Sequence, residues 1–342
     1  MSTQSGAPNH FARPHLVEKN YFIKAGGGKW HGDMANLGIA SDAQDEAYRL
    51  FEGPEELAEG FKEWDRLHYQ HNAPDPVNNF LKEDWIKTCL NVEDLGLVVS
   101  GYGSASTYID AAYKDATRLF YEVSKLHNVM TIDGGGTHSV MLGMKDGVLK
   151  AYREGYPILN LGIRSETDVS PIEGDIEKWI MQNGYTPAQG KDARHIHFAN
   201  NHMHILKLSR LLQRQHPIAA LSHISTFFPG GKGTIVEALI TMNHNARVGI
   251  LGEGFFPGYS SNMRQIPMLF SNHQFEYLGK RRGIFDGFLS GYRQHFDRLN
   301  MHEFIGENRI DQMLNFIIKY ANEEGINLSN SNALPPYLDR RF

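Results

Sequence analysis

Several features that mark other classes of protein are scarce or missing in this sequence of 342 residues. It contains one cysteine, Cys89, which excludes an intrachain disulfide framework and a zinc site built from cysteines. No apolar run approaches the roughly 20 residues needed to span a bilayer. The N-terminus, MSTQSGAPNHFARPH, lacks the apolar segment of a secretory signal. These absences favour a cytoplasmic protein.

An excess of positive charge is missing too, since the formal net charge is −5 at pH 7. This balance argues against a nucleic-acid partner. Hydrophobic residues make up 41% of the chain and charged residues 21%, which is typical of a globular core. We therefore expect neither a membrane nor a nucleic acid as partner, with a local basic patch as the alternative for nucleic acid.

Histidine is abundant, with 17 residues, and the densest group is His195, His197, His202 and His204. A strand would place the first two on one side, whereas a helix that starts near residue 201 would make the other two diverge. No HExxH or comparable ligand spacing occurs. We predict hydrogen-bonded or surface histidines and no metal, with a metal site as the alternative.

The sequence pattern divides the chain into three parts. Residues 1–90 are polar and predict an N-terminal extension of helix and loop. Its AGGGK segment (25–29) is interpreted as a turn, because Trp30 stands where a phosphate loop has Ser or Thr. Residues 91–260 predict a nucleotide-binding Rossmann domain, and residues 261–342 a mainly helical C-terminal extension packed on it.

The middle part alternates short apolar runs with helical stripes, which predicts an α/β fold: a Rossmann-like, doubly wound, mostly parallel sheet with helices on both faces. The predicted strands are 95–101, 129–136, 156–163, 194–199, 224–228 and 247–252. The predicted helices are 107–127, the segment SVMLGMKDGVLKAYREG, 201–216, and one that follows the PGGKGT segment through residue 240. Two further helix-like segments are expected between residues 273 and 324.

Gly-rich turns follow three of these strands: SGYGSAS (100–106), DGGGTHS (133–139) and PGGKGT (229–234). The carboxyl ends of parallel strands share one edge, where ligands of such sheets bind. Glycine lets the backbone approach a ligand, and the helix after each turn offers unpaired N–H groups. Three such turns favour a ligand that carries a phosphate, although any one of them could be only a tight turn.

Two common nucleotide motifs do not fit these turns. Gly233 follows Lys232 where a Walker A motif has Ser or Thr, and SGYGSAS lacks the third glycine of GxGxxG. Thr234 is predicted as a helix N-cap, with Glu237 in the first helical turn. The spacing T-x-x-E fits a capping box, but Glu237 could equally face the sugar of a ligand.

The segment PGGKGTIVE resembles the PGGxGTxxE signature of the LOG ("lonely guy") family, often labelled lysine decarboxylase-like. SGYGSAS is similar to the family's first glycine/serine loop, and DGGGTHSVMLG to its GGGxxGLMG segment, with Ser139 and Val140 where Gly and Leu stand. Arg214 lies fifteen residues before Pro229, as an Arg of the family does, but Gln215 replaces the Lys that follows it. The resemblance covers roughly residues 95–255.

Members of this family are nucleoside 5′-monophosphate phosphoribohydrolases, which release the base and ribose 5-phosphate. The resemblance implies that Glu237 acts at the ribose, as electrostatic stabiliser, water-activating base or transient nucleophile. It implies that Arg214 pairs with phosphate or assists the leaving base, with a surface helix arginine as the alternative. Its implied substrate-binding residues hold the 5′-phosphate or line the sugar-phosphate side of the cleft: Gly103, Ser104, Gly135, Gly136, Thr137, Gly230, Gly231, Gly233 and Thr234. It implies no metal or organic cofactor. A lysine decarboxylase would need pyridoxal phosphate on a lysine, and nothing in the sequence marks one.

Two rival functions stay open: a nucleotide sensor without turnover, and a nucleoside deoxyribosyltransferase. The resemblance also implies a homodimer or higher homo-oligomer, which sedimentation at the mass of a monomer would contradict. The aromatic segment GFFPGYSSNM (254–263) is interpreted as a structural loop, with a cover for the pocket as the alternative.

Overall fold

A nine-stranded sheet organises the chain. The computed structural model describes residues 54–55, 96–104, 110–165, 175–189, 195–208, 218–252, 264–272 and 284–328. The strands are β1 (Leu97–Tyr102), β2 (Val129–Asp133), β3 (Asn160–Ser165), β4 (Ala188–Gln189), β5 (His195–Phe198), β6 (Met203–Leu208), β7 (Ile224–Phe227), β8 (Met268–Asn272) and β9 (Met301–Ile305). Their order across the sheet is β4-β5-β6-β3-β2-β1-β7-β8-β9.

The seven strands from β6 to β9 in that order run parallel, whereas β5 pairs antiparallel with both β4 and β6. The helices are α1 (Asp110–Ser124), α2 (Ser139–Arg153), α3 (Asp175–Gln182), α4 (Lys232–Leu251), α5 (Ile284–Tyr292), α6 (Phe296–Leu299) and α7 (Arg309–Glu323). A 3₁₀ turn, Arg293–His295, joins α5 to α6.

The chain reverses its direction of travel across the sheet at β1. It first moves outward through β2, β3 and β6, then returns to the other side of β1 with β7 and continues outward to β9. Because parallel crossovers are right-handed, this order places helices on both faces, and the crevice between β1 and β7 is a topological switch point. The doubly wound, Rossmann-like α/β fold that the sequence predicted is confirmed.

Burial follows from this layering. Every residue of β1, β2, β7 and β8 is buried, as expected for parallel strands covered on both faces. On one face, a Cβ atom on Gly101 would meet Phe120 of α1 and Met144 of α2. The N-terminal end of α7 joins α1 through an ion pair between Arg309 and buried Asp115 (2.6 Å).

Two predicted elements are wrong. Residues 203–208 form strand β6, not the start of a helix: MHILKL pairs with β3 and β5, so tertiary pairing overrides its local pattern. Residues 247–251 are the end of α4, not a strand. That helix stops at Gly252, which has a φ of 67°, and its last residues, Ile250 and Leu251, are each 39% exposed.

The part of the chain after residue 261 contributes more than helices. It supplies β8 and β9, which continue the parallel sheet beyond β7, and the strand β9 lies between the two helical segments that the sequence predicted. No helix in the described ranges combines the length and the apolar character that crossing a bilayer requires.

Candidate functional site

The three Gly-rich turns follow β1, β2 and β7, which are direct neighbours in the sheet order β2-β1-β7. Gly230 and Ser104 bring the PGGKGT turn against the SGYGSAS turn. A Cβ atom on Gly230 would lie 2.2 Å from Thr234 Oγ1 and 2.9 Å from the backbone nitrogen of Ser104. A Cβ atom on Gly231, by contrast, would have no other atom within 4 Å, and Gly231 is exposed.

The SGYGSAS turn also contacts the start of α2. A Cβ atom on Gly103 would lie 2.4 Å from Val140 Cγ1, and the backbone N–H of Val140 donates to the carbonyl of Ser104 (3.1 Å). Ser104 itself is buried. The structure therefore brings all three predicted turns together, with Ser104 between the other two.

Helix α4 begins one residue after Gly231, which has no side-chain cap. The backbone N–H groups of Thr234 and Ile235 both donate to the carbonyl of Gly231 (3.1 and 3.3 Å). The N–H groups of Lys232 and Gly233 come before them, and no carbonyl within the helix can reach those two. The predictions of Thr234 as N-cap and of a capping box are wrong, because Thr234 is the third residue of the helix and is buried beneath Gly230. Half-buried Gly233 lies in the same first turn.

Glu237 lies in the second turn of α4, one turn later than predicted, and is 4% exposed. Burial raises the pKa of Tyr102, a residue of β1, and the nearby Glu237 carboxylate raises it further. The Tyr102 ring stacks on Phe227 (centroids 4.8 Å apart), and Phe227 stacks on Phe270 at the same distance. This aromatic stack joins the last residues of β1 and β7 to the middle of β8.

A buried ion pair, which sequence reasoning missed, fixes the DGGGTHS turn. Asp133 at the end of β2 accepts hydrogen bonds from Lys145 Nζ of α2 (2.8 and 3.0 Å), and both side chains are fully buried. The same carboxylate accepts the backbone N–H of Gly135 (2.7 Å) and Asn160 Nδ2 (3.1 Å). Gly135 has a φ of 71°, a conformation that glycine adopts without strain.

The rest of this turn is closely packed. A Cβ atom on Gly136 would lie 2.8 Å from the sulfur of Met141. Thr137 is buried, and its Oγ1 has no hydrogen-bond partner among the described residues. Ser139, which stands where the resembled family has Gly, has a φ of 48°. A left-handed residue other than glycine at this edge is a point of backbone strain.

Arg164, at the end of β3, is a second residue that the sequence analysis did not single out. It is 5% exposed, and a Cβ atom on Gly135 would lie 2.9 Å from Arg164 Cβ. Its Nη1 has no hydrogen-bond partner within the part of the chain that the structure describes. The only signal in the sequence is a charged residue that ends an apolar strand, NLGIRS.

Two predicted features fall outside the described residues: Arg214, and the aromatic segment 254–263. Their proposed roles stay predictions. The AGGGK segment lies outside them as well.

The histidines are arranged differently from the prediction, because His204 lies on strand β6. Its Nε2 donates to the carbonyl of Asn201 (2.7 Å), which can only accept, so its Nδ1 accepts a hydrogen bond from Nε2 of His195 (3.1 Å). Burial lowers the pKa of His204 to about 3, and the neighbouring His195 contributes. In the described ranges no three His, Cys, Asp or Glu side chains are grouped as metal ligands.

Comparison with known proteins finds no family model and no curated protein that matches the sequence. Solved structures with a similar chain path exist. The molybdenum cofactor carrier protein of Chlamydomonas reinhardtii is 14% identical, with 66% of this chain and 98% of that chain covered and a TM-score of 0.36. The molybdenum cofactor binding protein of Rippkaea orientalis is 16% identical, over 65% and 96% of the two chains, with a TM-score of 0.35.

A third similar structure is DNA processing protein A of Helicobacter pylori, which binds single-stranded DNA. It is 13% identical, over 67% of this chain and 83% of that chain, with a TM-score of 0.38. Likenesses of this strength carry no argument about ligand or activity.

Proposed function

We propose that this chain binds a nucleoside 5′-monophosphate at the carboxyl edge of its sheet and hydrolyses the N-glycosidic bond. The observation that supports the proposal is the position of Glu237. This buried carboxylate lies in the second turn of α4, one turn after the uncapped start of that helix, and near the Tyr102 side chain of β1.

The 5′-phosphate is assigned to the start of α4. The first amides of that helix have no intrahelical acceptor, and the helix dipole adds positive potential at the same point. The open surroundings of Gly231 leave room for a phosphate oxygen to approach the backbone. Buried Thr234 supports the turn from below, since its hydroxyl lies against Gly230.

In the reaction, the bond between C1′ and the base nitrogen breaks. The base leaves with the electron pair and takes up a proton, while the oxygen of a water molecule bonds to C1′ and loses a proton. Positive charge develops on the ribose during this exchange. A carboxylate in surroundings with little water stabilises such charge more strongly than one in bulk solvent, which is the role we assign to Glu237.

The test is chromatography of AMP, GMP, CMP, UMP, IMP and their deoxy forms after incubation with the protein. We expect free base and ribose 5-phosphate (or its deoxy form) from one or two of them. Binding without release from any member of the panel would contradict hydrolysis and support a nucleotide sensor. Base exchange in preference to hydrolysis, with a second base supplied, would support a deoxyribosyltransferase.

A further inference from the structure

At the ends of β2 and β3 the described residues include two buried cations, Lys145 and Arg164, but one buried carboxylate, Asp133. Asp133 is engaged with Lys145, so its charge is already matched. Arg164 is the second cation here, and an arginine stays protonated at any physiological pH. Buried charges are normally paired, because removing them from water is costly. The unpartnered Nη1 of Arg164 is therefore suited to bind an anionic group.

The strand alternation shows where Arg164 points. Gly162 and Arg164 share one face of β3, and a Cβ atom on Gly162 would lie 2.9 Å from Lys145 Nζ of α2. Arg164 is two residues nearer to the carboxyl edge on that face. From Lys145, the path along α2 toward the carboxyl edge ends at the first turn of this helix, which begins just after Thr137. The hydroxyl of Thr137 also has no hydrogen-bond partner among the described residues.

We propose that Arg164 and Thr137 form a second anion-binding subsite at the ends of β2 and β3. It takes a phosphate-sized anion that is separate from the 5′-phosphate assigned to the start of α4, since a nucleoside 5′-monophosphate carries no second phosphoryl group. The first turn of α2 contributes its positive dipole end, and no side-chain cap competes for it. The assignment of the 5′-phosphate to α4 rests on the proposed function, but the subsite itself does not.

The subsite makes an unusual prediction about stability. A cation kept for a ligand costs folding free energy when the ligand is absent. Arg164→Gln should therefore have a melting temperature at least equal to that of the wild type in phosphate-free buffer. It should also lose part of the stabilisation that inorganic phosphate gives the wild type.

The experiment measures melting temperature against the concentration of inorganic phosphate. We expect the phosphate concentration that gives half of the rise in melting temperature at this subsite to increase at least about tenfold in Arg164→Gln. It should increase by a similar factor in Thr137→Val, because each substitution removes a hydrogen bond to a charged group. Arg164→Lys keeps the charge and should keep part of the effect. Arg118→Gln is the matched control: it removes one positive charge from an exposed ion pair with Asp311.

Gly230→Ala separates the two subsites, since its methyl group meets Thr234 and Ser104 but neither Arg164 nor Thr137, and it should leave the Arg164-dependent response to phosphate intact. A lower melting temperature of Arg164→Gln in phosphate-free buffer would overturn the proposal, because Arg164 would then be paired within the protein. An unchanged phosphate response in Arg164→Gln, or no response in the wild type, would also overturn it. The base-release assay is independent, so failure of hydrolysis leaves this result readable.

Discussion

Gly230 lies directly against the backbone nitrogen of Ser104, so that the turn after β7 and the turn after β1 share one contact. Alanine at residue 230 would place its methyl group 2.9 Å from that nitrogen and 2.2 Å from Thr234 Oγ1. At least one of the turns would have to move. The amides assigned to the 5′-phosphate would move with it.

We therefore expect Gly230→Ala to weaken AMP binding at least about tenfold and to cost about 1–3 kcal/mol of unfolding free energy. Gly231→Ala is the matched control for stability, because its extended backbone accepts alanine and no protein atom lies within 4 Å. Urea unfolding of both variants and calorimetric titration of Gly230→Ala with AMP provide the check. Equal effects of the two substitutions on unfolding free energy would show that the contact with Ser104 is unimportant.

Glu237→Gln keeps the size of the side chain and removes its charge. We expect base release to fall by about 10²–10³-fold or more, the range seen when an electrostatic group of a transition state is removed. Nucleotide binding should stay within about tenfold of the wild type. Glu122→Gln, in an ion pair with Lys125 near the C-terminal end of α1, controls for the loss of one carboxylate. Full activity in Glu237→Gln would remove Glu237 from the mechanism.

Lys145→Met leaves the Asp133 carboxylate buried without its counter-charge. The expected cost is about 3–5 kcal/mol of unfolding free energy, measured by urea denaturation. The double variant Asp133→Asn/Lys145→Met should recover most of this loss, because it removes both charges. A double variant as unstable as Lys145→Met alone would show that the pair contributes by packing.

Ser139→Gly and Ser139→Ala both lose the hydroxyl group, but only glycine relieves the positive φ. We expect the glycine variant to be more stable than the alanine variant by about 1–2 kcal/mol. Thermal unfolding of the two proteins under one set of conditions gives the difference. Equal stability would mean that the first turn of α2 relaxes to another conformation when the hydroxyl is removed.

His204 makes stability depend on pH. Its pKa falls from 6.5 to about 3 on folding, so between these values the unfolded chain binds a proton that the folded one does not. The contribution of His204 to the unfolding free energy is therefore intact above pH 6.5 and is lost as the pH falls toward 3. At pH 5 the loss is about 2 kcal/mol. His204→Gln should reduce the loss between pH 7 and 5 by that amount, and His295→Gln should not. Urea unfolding at both pH values tests this.

The elements that the sequence predicted well have purely local signals. β1, β2 and β7 are apolar runs that end in glycine, and the helices after them show clear apolar stripes or follow a known motif. Strand β6 could not be recognised in this way, because the stretch that contains MHILKL suits a helix until it pairs with β3 and β5. β9 is half exposed and lies between two helices, so its pattern is weak.

The turns of the site were predictable because glycine is needed wherever two backbones approach closely. The charged residues were not. Gly135, distant in sequence, lies against the Cβ of buried Arg164. Lys145 reaches Asp133 across a turn and a helix start, a contact that no helical spacing indicates. Such residues look like ordinary surface charges until the sheet is assembled.

The aromatic stack ties the strand that carries the PGGKGT turn to β8, which comes much later in the chain. Without β8, strand β7 would become the edge of the sheet, and the ring of Phe227 would lose one of its two stacking partners. A shortened protein that ends after the recognisable motifs would therefore keep every signature residue but lack the support for the turn. We therefore expect the smallest fragment that keeps the PGGKGT turn in place to extend at least through β8, beyond the region in which the family resemblance can be read.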